Sequence, residues 1–322
     1  MINIGNYRLK TNILLAPLSG CADLPFRLIM REYGAKFCFF EMIDANALQK
    51  NKKSLEMLKT TTKDRPIAGQ LVGSDPDIML SSAKEMIKHA DIKFLDVNAA
   101  CPVRKVIKKK AGAYLLKEPI LLYKIIKKLS SNLDLPITVK LRIGYDRIDN
   151  KNIADISAGC EHNGASAIFV HGRTRTQGYS GPVEHSAIRS VKNAVSIPVF
   201  GSGNIFTPEQ AKEMMEKTGC DGIIVARGAF GNPWIFKNIL NYIKGKPLYQ
   251  PTPEDRKKAA VKHIKYIMKY NASLPKGKIG LMRKAALWYM KSFHNAACLR
   301  KKINCAKSAE ELIDMINSAE CH

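Results

Sequence analysis

The feature that most constrains this 322-residue chain is a regular alternation of short apolar runs with amphipathic segments. The runs are ILLAPL, FCFFEM, IAGQLVG, FLDVNAA, ITVKLRIG, AIFVHGR, IPVFGSG and GIIVARG, all in the first three-quarters of the sequence. Each is β-rich and too short for a helix, which predicts a strand. Between them, segments such as DIMLSSAKEMIKHA and PILLYKIIKKLSSN repeat apolar residues every three or four positions and carry charge on the other face, which predicts helices. The last polar or special residues of the runs fall at 17, 41, 70, 98, 140, 171, 203 and 227. That spacing is about thirty residues, the length of one β-α unit. Eight such units predict an α/β fold, a (β/α)8 TIM barrel, which typically takes about 250 residues. A doubly wound open sheet is the alternative, but the first turn, APLSGCADLPF, lacks the G-x-G-x-x-G phosphate fingerprint.

A barrel places its active site at the C-terminal ends of its strands, and these ends carry Pro17, Glu41, Gln70, Asn98, Lys140, His171 and Arg227. Any one of them could simply cap a strand; as a set they point to a site. After the Pro-rich stretch KGKPLYQPTPED strand patterning stops, which divides the chain into a catalytic barrel, residues 1–245, and a C-terminal α-helical bundle domain, residues 246–322. The chain has 52 Lys and Arg against 28 Asp and Glu, a net +24, and residues 246–322 alone hold sixteen against six. Such an excess predicts a polyanionic partner. The first residues lack the pattern of a secretory signal, and no run of about 18 apolar residues occurs, so a cytoplasmic protein with no membrane association is expected. The eight cysteines are widely and irregularly spaced with no C-x-x-C pair, which predicts reduced thiols and no metal site.

Small residues cluster at the seventh and eighth strand ends: Gly201, Ser202, Gly203 and Asn204, then Ala226, Arg227 and Gly228. Loops after strands seven and eight of such barrels frequently bind phosphate, so FMN or a phosphorylated substrate suits them. Lys140 and His171 would project over the mouth, where a lysine can stabilise the anionic edge of a reduced flavin and a histidine can hydrogen-bond the same ring or a substrate. Gln70 offers both donor and acceptor to such an edge. Cys101 follows the fourth strand in DVNAACPVRKV. With an ordinary pKa of about 8.5, a thiol there is mostly protonated at neutral pH and can donate a proton. The basic residues after it, Arg104, Lys105, Lys108, Lys109 and Lys110, either lower that pKa or contact phosphates.

The segments APLSGCADLPFR, DVNAACPVRKV, KLRIGYD, VHGRTRTQGYSG, IPVFGSGNI, ARGAFGNPWIF and GLMRKAALWYM resemble, in order and across almost the whole chain, the tRNA-dihydrouridine synthases, most closely their bacterial B-type branch. The resemblance implies a barrel that binds FMN, a helical tRNA-binding domain, and NADPH, or NADH, as reductant. It implies flavin contacts at Pro17, Leu18, Ser19, Gln70, Lys140, His171, Gly201, Ser202, Gly203, Asn204, Ala226 and Arg227. In that family NADPH reduces FMN, the flavin delivers hydride to C6 of a D-loop uracil, and a cysteine, here Cys101, protonates C5. Asn98 would help hold the flipped uracil and Arg173 would lie near flavin or RNA. Arg104, Lys105, Arg283 and Lys284 are candidate tRNA contacts, and no obligate protein partner is implied. Four positions depart from the family pattern: Ala22 for Thr, Ala100 for Gly, Ser202 for Asn and Ala226 for Gly. Of these, Ser202 offers fewer hydrogen bonds than Asn. Two other readings stay open: a flavin barrel acting on a free pyrimidine, and an RNA-binding protein without catalysis.

Overall fold

A computed structural model describes residues 1–271, 278–293 and 295–320. Eight parallel strands close into a barrel in chain order. They are β1 (Ile13–Leu15), β2 (Cys38–Asp44), β3 (Ile67–Val72), β4 (Ile92–Ala99), β5 (Ile137–Arg142), β6 (Ala165–His171), β7 (Val199–Ser202) and β8 (Gly222–Val225). Around them run α1 (Leu24–Glu32), α2 (Pro76–His89), α3 (Pro119–Ser130), α4 (Asn150–His162), α5 (His185–Ala194), α6 (Pro208–Thr218) and α7 (Ile235–Ile243). Between β2 and β3 the connection is made of shorter pieces, beginning with Ala45–Lys50. The strands read as near-continuous apolar runs because each is covered on both faces, by the helices outside and by the barrel filling inside. That filling is aromatic: Phe37, Phe39, Phe94, Phe169 and Phe200 are all buried in one cluster. Phe37 and Phe94 lie stacked at 5.1 Å, and Phe39 meets Phe169 edge-on at 5.5 Å.

An antiparallel pair that the sequence pattern did not reveal, Ile2–Ile4 with Tyr7–Leu9, precedes the barrel. Ile4 and Leu9 join the aromatic cluster, so the pair closes the N-terminal end and leaves the other end open. The strand ends differ from the expected ones at several points. β3 and β5 continue past Gln70 and Lys140, to Val72 and Arg142, whereas β1 stops before Pro17. Polarity does not end those strands: Gln70 takes its partners from β4, and Lys140 faces the open end of the barrel.

Among the described residues four α-helices follow: α8 (Pro253–Tyr270), α9 (Lys278–Tyr289), α10 (Ala296–Cys305) and α11 (Ala309–Asn317). A capping box starts α8, with Thr252 and Asp255 each bonding the other's backbone N–H. These helices share a second apolar cluster, which includes Ile264, Ala285, Tyr289 and Leu312 and also takes in Trp234 from the barrel side of residue 245. Contacts fix the two parts together: Lys262 pairs with Glu32 at 2.5 Å, Asn271 donates to Asp23 at 3.0 Å, and Trp288 stacks on Phe230 at 4.4 Å. Among the described residues no helix is long and apolar enough to cross a membrane.

Candidate active site at the barrel mouth

At the open end the strand termini surround a cavity of about 460 Å³, within the size range of small-molecule sites. A larger and more open groove of about 560 Å³ lies outside the barrel at Tyr123, Lys124 and Lys127, away from the strand ends. The mouth cavity is lined by Pro17, Leu18 and Ser19 after β1, by Asn98 of β4 and Cys101 just beyond it, and by Lys140 of β5. His171 of β6, then Ser202, Gly203 and Asn204 at and after β7, and Ala226 and Arg227 after β8, complete it.

Seven candidates lie elsewhere. Gln70 is fully buried beneath the cavity, bonded to Asp96 at 2.6 Å and to Asn98 at 2.9 Å. Gly201 faces outward: a Cβ there would meet Met214 Sδ at 2.8 Å, so the glycine serves close packing of β7 on α6. Arg173 is 1% exposed and backs the cavity wall; it donates to Ser180 and Gly181 carbonyls and, at 3.0 Å, to Asn204 Oδ1. Arg104 and Lys105 are exposed on a short helix just past Cys101. Arg283 donates to the Ala306 carbonyl at 2.9 Å, and Lys284 donates to the Gly20 carbonyl, so both hold protein backbone. As for the departing positions, Ser202 Oγ donates to Val170 O at 3.1 Å, Ala22 is fully buried, and Ala100 and Ala226 line the cavity.

Arg142 and Tyr179 escaped the sequence reading. The buried Arg142 guanidinium donates to Ala100 O at 2.7 Å, Thr174 O at 2.8 Å and Gly178 O at 2.9 Å, tying the Cys101 loop to the loop after β6. Tyr179, on that second loop, lies under Arg227 at 4.6 Å. The signal for Arg142 was available, since residues two apart on a strand share a face and Arg142 is two beyond Lys140.

The site is strongly cationic. Burial, reinforced by Lys140, Arg142, Arg173 and Arg227, pushes the His171 pKa well below its ordinary 6.5, so the imidazole is neutral. Burial and then Arg142 lower the Lys140 pKa, against the opposing pull of Asp96. Burial raises the Cys101 pKa above 9.0, while the Val103 backbone N–H, Arg142 and Lys140 pull the other way. The group is therefore a thiol at neutral pH. Asn98 Oδ1 fixes its loop by accepting from the backbone of Ala100 at 3.0 Å and Cys101 at 2.8 Å.

A closed eight-stranded parallel barrel with a cationic mouth, a neutral imidazole and a protonated thiol on its wall is an enzyme architecture suited to anionic ligands. The family follows from the chain's relatives. The model of the dihydrouridine synthase (Dus) family matches residues 14–321, and this enzyme belongs to that family. It is 35% identical over 317 residues to tRNA-dihydrouridine synthase B of Vibrio parahaemolyticus, covering 98% of this chain and 97% of that protein. A probable tRNA-dihydrouridine synthase of Rickettsia conorii is 37% identical over 314 residues, 94% of this chain and 92% of that protein. Among solved structures, the old yellow enzyme from Trypanosoma cruzi shares the fold with a TM-score of 0.58 at 13% identity, covering 81% of this chain and 96% of that one.

Proposed function

We propose that this enzyme reduces the C5=C6 bond of a D-loop uridine in tRNA to 5,6-dihydrouridine, with FMN as cofactor, NADPH or NADH as reductant and Cys101 as proton donor. The observation that carries this reading is the Cys101 side chain on the wall of a cationic cavity, beside Asn98, Lys140 and His171, where burial raises its pKa and favours the thiol. The donor set fits FMN. Arg173 Nη1 is buried without a partner, in the same guanidinium that donates to Asn204 on the cavity wall, which suits a further acceptor such as a phosphate oxygen.

Ser202 through Asn204, Ala226 and Arg227 would hold the phosphate end, and Pro17 through Ser19, Lys140 and His171 the ring system. Bound there and reduced by the nicotinamide, FMN supplies the hydride that adds at C6. Cys101 Sγ gives its proton to C5, and the thiolate left behind regains one from water. Neutral His171 can donate or accept a hydrogen bond without adding charge. The uridine must leave its stack to reach the mouth. Residues 246–322, with Arg104 and Lys105 at the rim, carry the phosphate contacts, and the work is done in the cytoplasm. Mass-spectrometric mapping of tRNA incubated with the protein, FMN and NADPH tests the reading, and tRNA that gains no dihydrouridine would overturn it.

A further inference from the structure

We propose that Asp96 is a positioning residue that holds the Cys101 loop in place from inside the barrel, through Gln70 and Asn98. Asp96 is fully buried on β4, two residues beyond Phe94 of the aromatic filling. The strand register sets Gln70 opposite Asp96, Asp96 opposite Thr138 and Asn98 opposite Lys140. A carboxylate buried this deeply is costly unless its oxygens are hydrogen-bonded. Both are: Thr138 Oγ1 donates to Oδ1 at 2.7 Å and Gln70 Nε2 to Oδ2 at 2.6 Å.

The consequence is directional. Both Asp96 oxygens accept, Oδ2 from the Gln70 NH2 and Oδ1 from the Thr138 hydroxyl, and these donors with the Lys140 charge favour the ionised, accept-only form against burial. With its NH2 on Asp96, Gln70 turns Oε1 toward Asn98, which must answer with its own NH2, at 2.9 Å. Asn98 Oδ1 is thereby aimed at the backbone N–H groups of Ala100 and Cys101. Each side-chain amide alone could flip end for end; the carboxylate fixes the polarity of both. Asp96 is also the acidic group that favours the charged form of Lys140, one strand away. The Asp96 pKa is raised by burial and pulled back by Gln70, Thr138 and Lys140.

A general acid must sit at hydrogen-bond reach of the carbon it protonates, and a displacement of about 1 Å can cost about a hundredfold in rate. This catalytic consequence rests on the proposed reaction, but the positioning role does not. The test is amide hydrogen exchange resolved at Ala100 and Cys101. Asp96→Ala should speed exchange at both by at least about tenfold, while amides of β8 and α8 keep their wild-type rates. Asp96→Asn should restore only part of the protection, because its oxygen can accept from Gln70 but its NH2 can be presented there as well, so the polarity of Gln70 is no longer fixed. If Asp96→Ala does not fold, Gln70→Met cuts the same connection with Asp96 in place and should give the same local loss. Wild-type protection at both amides in either folded variant overturns the proposal. A second arm measures dihydrouridine formation, which should fall about a hundredfold per bound flavin in Asp96→Ala. Wild-type protein that makes no dihydrouridine would refute the proposed reaction and leave the exchange result to decide the role of Asp96.

Discussion

Replacing Cys101 with Ala isolates the proton-transfer step, because what holds the loop is backbone. The Cys101 N–H reaches Asn98 at 2.8 Å, and Arg142 reaches the Ala100 carbonyl at 2.7 Å; neither contact uses the thiol. The variant should therefore fold, retain flavin and be bleached by NADPH at the wild-type rate. General acid catalysis typically contributes about 10²–10⁴-fold, roughly 2.7–5.5 kcal/mol of barrel-mouth transition-state stabilisation. Reoxidation of the bleached flavin by tRNA should slow by that factor, measured by rapid mixing at pH 7.5. The wild-type pH profile carries an independent check of sign. A proton donor works only while protonated, and burial raises the Cys101 pKa above 9.0. The rate of this step should therefore hold through neutral pH and fall only once the medium passes that value. Unchanged reoxidation by tRNA in Cys101→Ala would refute the proton-donor argument. Slowed bleaching by NADPH would move the cysteine to the other half of the cycle.

Asp64 is fully buried between Arg27 at 2.8 Å and Arg31 at 2.9 Å, so Asp64→Ala leaves two guanidinium groups facing no carboxylate. Denaturant unfolding should show a loss of about 3–5 kcal/mol, and a loss under 1 kcal/mol would mean the arginines find other acceptors. His263 is buried and its pKa is lowered to about 3 by burial and then Lys284. The unfolded chain therefore takes up a proton near pH 6.5 that the folded chain refuses, and stability falls as pH drops from about 6.5 toward 3. His263→Phe should flatten that part of the stability profile relative to wild type; parallel profiles would count against it. Affinity for tRNA should fall steeply between about 50 and 200 mM salt while FMN affinity changes little. Salt-insensitive tRNA binding would contradict the electrostatic reading.

The barrel could be read from the sequence because strands covered on both faces appear as continuous apolar runs, and runs spaced about thirty residues apart leave few other topologies. The run ends were less legible. Gln70 and Lys140 look like strand terminators by polarity, yet each lies within its strand: Gln70 is satisfied from the side by Asp96 and Asn98, and Lys140 faces the cavity. Only the pairing of β3, β4 and β5 shows this. The two glycines of FGSG differ in a way that counting does not reveal but alternation does. Phe200 is buried in the barrel filling, so Gly201 must face the helices and Ser202 the cavity. The N-terminal pair escaped notice because its strands are only three residues each and show no period.

Charge was the most misleading guide to individual residues, for a physical reason. A cation on the sequence is equally suited to a phosphate oxygen and to a backbone carbonyl that ends a strand or helix. Arg142, Arg283 and Lys284 take the second partner. Lys109 and Lys262 are paired with Asp44 and Glu32. Arg104 and Lys105, by contrast, stand exposed beside the cavity rim. The net +24 therefore overstates the surface available to RNA. Since the slope of affinity against salt follows the number of phosphates neutralised, it should report the free rim and helix cations and be insensitive to those tied to backbone carbonyls. Replacing Arg104 and Lys105 together should reduce that slope by about two. Replacing Arg283 should leave the slope intact and lower stability instead, because the carbonyl of Ala306 loses its donor.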